Sequence, residues 1–107
     1  MQFADLIKEV KAAVFDQVRV DSEDYFEGVI LKENLEGLIT RLNGFFGPAL
    51  WPSKNGLSKE TQNVIKDFGG IMAGQTLYFC RQDNLSIFVM LWPWSDGQHI
   101  TLKCGQK

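Results

Sequence analysis

The segments that decide the fold are TLYFCRQ (76–82), LSIFVMLW (85–92) and QHITLKC (98–104), joined by DN (83–84) and PWSDG (93–97). All three are rich in β-branched and aromatic residues, and the joints are made of turn formers. Connections this short join only antiparallel neighbours, so the last third of the chain reads as a meander. Pairing Gln82 with Leu85 sets Cys80 opposite Ile87, Phe79 opposite Phe88 and Tyr78 opposite Val89. Pairing Trp92 with His99 sets Cys104 opposite Ile87 and Leu102 opposite Val89. One face then carries Tyr78, Cys80, Ile87, Val89, Leu91, Ile100, Leu102 and Cys104, an apolar surface that helices must cover. The other carries Leu77, Phe79, Arg81, Phe88, Met90, Trp92, His99, Thr101 and Lys103, aromatic at its centre and polar at its edges.

Three segments upstream have helical period. Phe3, Leu6, Ile7, Val10 and Val14 form a stripe over residues 3–15, and Leu35, Leu38, Ile39, Leu42 and Phe46 form another over 33–46. A third helix starts at Ser58, whose hydroxyl suits an N-cap accepting from Thr61, and Gly69-Gly70 ends it. Between the first two helices, residues 17–20 read either as the end of the first helix or as a brief edge strand. Tyr25–Leu31 is a candidate fourth strand, with Gly28 marking a bulge or a close backbone approach. The expected fold is a single α+β domain over residues 1–107, with three helices packed on a C-terminal three-stranded antiparallel meander. Three helical segments suffice to cover both sheet faces, and the alternative is that the mixed face stays open as a contact patch.

The chain has 107 residues, of which 45% are hydrophobic and 22% charged, and its net charge is −2. Such a chain buries enough surface to fold without a metal or a disulfide. Its longest apolar run, Ile87–Trp94, is far too short to span a bilayer. The first residues lack a basic start followed by an apolar stretch. The expectation is a cytoplasmic protein without membrane contact. Residues 1–47 hold nine acids and five bases, residues 48–107 six bases and four acids. No Lys/Arg cluster stands ready to neutralise phosphates, so no nucleic-acid partner is expected. Cys80 and Cys104 belong to no zinc-type spacing and fall on the two outer strands of the meander, too far apart to bridge.

Catalytic chemistry finds little footing. His99 is the single histidine. Ser95, Asp96 and His99 are close in sequence, but a Ser-Asp pair before Gly97 is ordinary turn chemistry, and a triad is a matter of geometry. In the register above His99 points to the face opposite Cys104. The acidic stretch Asp21, Glu23, Asp24 and Glu27 lacks the calcium-loop pattern and reads as a solvated loop. Gly69, Gly70 and Gly74 follow a helix and precede a strand, the reverse of a phosphate-binding loop. No catalytic residue, metal or cofactor is expected, and an enzyme is the less favoured reading.

The aromatic residues Phe45, Phe46, Trp51, Trp92 and Trp94 fall in loops or at element ends, with Pro48, Pro52 and Pro93 beside them. Prolines reduce the entropy lost when a neighbouring ring is held for binding, and tryptophan is enriched at interface hot spots. The alternative role is closing the ends of a small core. The functional expectation is a non-enzymatic protein- or peptide-binding accessory module, with Trp51 and Trp94 as anchors and the 47–57 loop as part of the rim. Its partner is another protein or a second copy of the chain. The rival is a small-molecule binder or enzyme with a cleft between that loop and the meander, using His99 and Lys103.

Overall fold

Alternating side chains commit the C-terminal third to strands, and the computed structural model, which describes residues 2–107, shows what they pair with. In chain order the elements are α1 (Phe3–Lys11), β1 (Gln17–Asp21), β2 (Tyr25–Leu31), α2 (Lys32–Phe46), α3 (Lys59–Ile65), a 3-10 turn (Lys66–Phe68), β3 (Thr76–Gln82), β4 (Leu85–Pro93) and β5 (His99–Gln106). All the strands belong to one antiparallel sheet of order β1-β2-β5-β4-β3. The meander is therefore three of five strands. The candidate at 25–31 is β2, paired along its whole length with β5, and 17–21 is an edge strand rather than the tail of a helix.

The β3–β4 register is as read from the sequence, Gln82 opposite Leu85 through Thr76 opposite Leu91. The β4–β5 register differs by two. Trp92 faces Thr101, Val89 faces Cys104 and Ile87 faces Gln106. The turn causes this shift. Asp96 Oδ1 accepts from the N–H groups of Gln98 (2.8 Å) and His99 (3.0 Å), and Trp94 N donates to His99 O (2.8 Å), so the closing pair is Trp94/His99. A shift of two preserves the faces, because side chains alternate with period two. Cys80 and Cys104 are free thiols with β4 between them. They lie two strand spacings apart and offset along the strands, roughly 12 Å between Cα atoms.

Each face has its own core. On the first, Phe3, Leu6 and Val10 of α1 and Leu35, Leu38 and Leu42 of α2 pack on Phe26, Ile30, Tyr78, Ile87, Val89, Leu91, Ile100, Leu102 and Cys104. Burial pushes the Cys104 thiol up to about 12, so it acts as a small hydrophobe. On the second face, Leu77, Phe88 and Met90 meet Ile65, with Trp51, Leu57, Val64, Phe68 and Ile71 around them. The molecule thus has three layers, with α1 and α2 on one side and α3, the 3-10 turn and the preceding loop on the other.

Helix α1 stops at Lys11, earlier than its apolar stripe suggests. Val14 is left exposed, and Phe15 folds back edge-on to Phe26 with ring centroids 5.1 Å apart. A Cβ on Gly28 would lie 2.8 Å from Phe15 Cδ1, so Gly28 serves close packing. The bulge belongs to its partner β1, between Val18 and Val20. The acidic stretch is an exposed loop over residues 22–24, with Asp21 at the end of β1 and Glu27 inside β2. It forms the β1–β2 hairpin, with Asp21 paired to Lys11 (2.5 Å), Asp24 accepting from Gln106 Nε2 (2.8 Å) and Glu27 accepting from Tyr25 OH (2.6 Å). Both sheet edges are guarded, β1 by its bulge and charges, and the start of β3 by a bridge to Trp51. Among the described residues no helix is long and apolar enough to cross a membrane.

Candidate functional site

Residues 47–57 carry the chain from the end of α2 across the edge of β3 to the second face. Gly47, with φ 76°, turns it out of the helix. Leu50 N and Trp51 N donate to Leu77 O (2.8 and 3.2 Å), and Leu77 N donates back to Trp51 O (3.1 Å). The Trp51 backbone is thereby fixed to the sheet, and its indole Nε1 donates to Met72 O (3.2 Å). Across from it, Ser58 caps α3 by accepting from Thr61 N (3.2 Å), and Gln62 Nε2 holds Leu57 O (2.8 Å). These contacts frame a groove of about 470 Å³ with Trp51, Leu57, Ile65 and Ile71 as its apolar surface and Gln62, Asn63 and Lys66 as polar lining. Leu50 and Met72, the chain neighbours of Trp51 and Ile71, are 40% and 65% exposed.

A second cluster gathers on the opposite flank. Trp94 lies back on the sheet, its Nε1 donating to Thr101 Oγ1 (2.8 Å). Its ring stacks on His99 (centroids 4.8 Å apart), and the Arg19 guanidinium sits 5.8 Å from the ring centre. His99 Nδ1 bonds Asp96 Oδ2 (2.5 Å), and Nε2 faces Asp16 Oδ2 at 3.7 Å. With both ring nitrogens directed at carboxylates, the imidazole is not aligned on Ser95. Asp96 is held down to about 2, first by the N–H groups of His99 and Gln98 and then by the imidazole. A depressed carboxyl stabilises the fold above its ordinary value near 3.9, and this contribution fades as pH falls through about 2. The stability deficit of Asp96→Asn should therefore be full at neutral pH and close between about pH 4 and pH 2. Urea midpoints at both ends of that window check this, and a deficit independent of pH would contradict it.

Trp92 lies between these two places. Lys103 Nζ is 3.5 Å from the centre of its ring and donates to Phe68 O (2.7 Å), tying the end of the 3-10 turn to the sheet. Burial lowers the Lys103 ammonium, with Glu27 opposing and Arg19 adding to the shift. Trp92 Nε1 is buried with no hydrogen-bond partner among the described residues. Phe46 packs in the first core beside Tyr78, with centroids 5.6 Å apart.

Of the aromatic and imidazole residues singled out from sequence, only Trp51 lines the groove. Trp94 and His99 stack on each other elsewhere, Trp92 braces the second core and Phe46 belongs to the first. His99 and Lys103 do not share a cleft with the 47–57 loop. Asn63, Ile65, Lys66 and Ile71 join Trp51 and the 47–57 loop only through the fold. Ile71-Met72 was the one available signal, an apolar pair outside any periodic segment. Among the described residues, no cluster of His, Cys, Asp and Glu is arranged to hold a metal ion.

Fold and site together define a small three-layer α+β domain with an apolar groove beside one edge of its sheet. The chain matches no protein-family model, no curated protein and no solved structure.

Proposed function

We propose that this chain is a non-catalytic binding module that takes an apolar side chain of a protein or peptide partner into the Trp51 groove. The observation that carries the reading is a groove lined by Trp51, Leu57, Ile65 and Ile71, with the exposed apolar residues Leu50 and Met72 as chain neighbours of two of them. Exposed apolar surface rimmed by polar groups is where partners dock, and a tryptophan held by its own hydrogen bond meets a ligand with little entropy to lose. Asn63 and Lys66 supply polar contacts for a peptide backbone or an acidic neighbour of the anchor. The free thiols of Cys80 and Cys104 favour a reducing compartment, and we take it to be the cytoplasm.

Peptides selected on the intact domain from a random library test the reading. They should share an aromatic or aliphatic anchor, and Leu50→Glu/Met72→Glu should weaken their binding by roughly tenfold or more. Both positions are exposed, so the variant should keep its thermal midpoint. Equal binding by the folded variant would sink the proposal, as would loss of binding in Trp94→Ala alone.

A further inference from the structure

We propose that Asn55 is a site of spontaneous covalent modification, converted through a succinimide to aspartate or isoaspartate at the lip of the Trp51 groove. The chain contains two Asn-Gly pairs, Asn43-Gly44 and Asn55-Gly56. The structure treats them in opposite ways. Asn43-Gly44 lies inside α2, where the Gly44 nitrogen belongs to a helical backbone and Asn43 Oδ1 accepts from Tyr78 OH (3.0 Å). Asn55-Gly56 lies in an exposed turn outside any helix or strand. The Asn55 backbone N donates to Ser53 Oγ (3.2 Å), while its side-chain amide has no hydrogen-bond partner among the described residues. Gly56 has φ 69°, and its N–H makes only a long 3.4 Å contact to Ser53 O. With no Cβ on Gly56, its nitrogen is open to approach.

The chemistry needs only base and water. A solvent base takes the Gly56 amide proton, and the nitrogen attacks Asn55 Cγ. The new C–N bond closes the five-membered ring, and the Cγ–NH2 bond breaks to release ammonia. Water then opens the imide. Attack at Cγ gives aspartate, and attack at the main-chain carbonyl gives isoaspartate. Either product adds one negative charge to a chain of net charge −2. Isoaspartate also lengthens the backbone by one methylene next to Gly56, which lines the groove. The site stands whether or not the groove binds a partner.

Trypsin separates the two pairs, leaving Asn43 in the 42–54 peptide and Asn55 in the 55–59 peptide. After the folded chain is aged in mildly alkaline buffer, the second peptide should gain the mass of an amide-to-acid conversion and react as isoaspartate. Conversion at Asn43 should be roughly tenfold slower or less, since the helix must first open locally. In denaturant the two sites should convert at similar rates. Comparable conversion of both in the folded chain, none at Asn55, or the same disparity in denaturant would each overturn the proposal.

Discussion

Phe88→Ala is expected to destabilise the fold by about 3–5 kcal/mol, a large part of the total stability of a domain this size. Phe88 is fully buried in the middle of β4, next to the centre of the sheet. Its ring meets Phe68 at 4.6 Å between centroids, and its tip reaches over Gly105, where a Cβ would come within 2.9 Å of Cζ. It thus joins the 3-10 turn to the sheet. The loss combines the transfer free energy of the ring with an unfilled cavity. Urea unfolding measures it. A loss below about 1.5 kcal/mol would mean that the second face is not packed as described.

Gly69→Ala should be nearly as damaging for a different reason, and its neighbour supplies the control. Gly69 has φ 105°, and a Cβ there would overlap the six-membered ring of Trp92 and lie 3.1 Å from Lys103 Nζ. The substitution therefore adds backbone strain of about 1–2 kcal/mol to overpacking of about 1–3 kcal/mol. Gly70 also has positive φ, 74°, but nothing lies within 4 Å of a Cβ placed there. Gly70→Ala carries the strain alone. The difference between the two variants isolates the Trp92 contact, about 1–3 kcal/mol by urea midpoint. Equal losses would show that Trp92 does not rest against Gly69.

The meander was legible because period-two alternation assigns each side chain to a face, and a two-residue turn leaves one register open. The second turn was less legible because its closing pair depends on Asp96 capping two N–H groups, a tertiary detail that residue types alone do not settle. Strand β1 was hard to see for a physical reason. Gln17–Asp21 alternates polar and apolar residues, but it is short and exposed throughout, so no buried face separates an edge strand from the end of a helix. The place of β2 beside β5 is a long-range pairing, and local pattern does not carry it. The groove was half legible. Trp51 between two prolines stood out, whereas Ile65 reads as an ordinary inner-face helical residue and Ile71 and Met72 as loop. Trp94, equally prominent in sequence, stacks on His99 and donates its indole N–H to Thr101, so the ring covers apolar surface while its polar end keeps a partner.

The chain's three tryptophans give the most direct test of where a partner binds. Each contributes one indole N–H signal, and the three sit in different places: Trp51 at the groove, Trp92 inside the second core and Trp94 against His99. Titration of the 15N-labelled domain with a selected peptide, followed by the indole resonances, separates them. A saturable shift of the Trp51 signal is expected, with Trp94 unmoved. A shift of Trp94 with Trp51 unmoved would contradict it and would place the binding surface at the His99 flank.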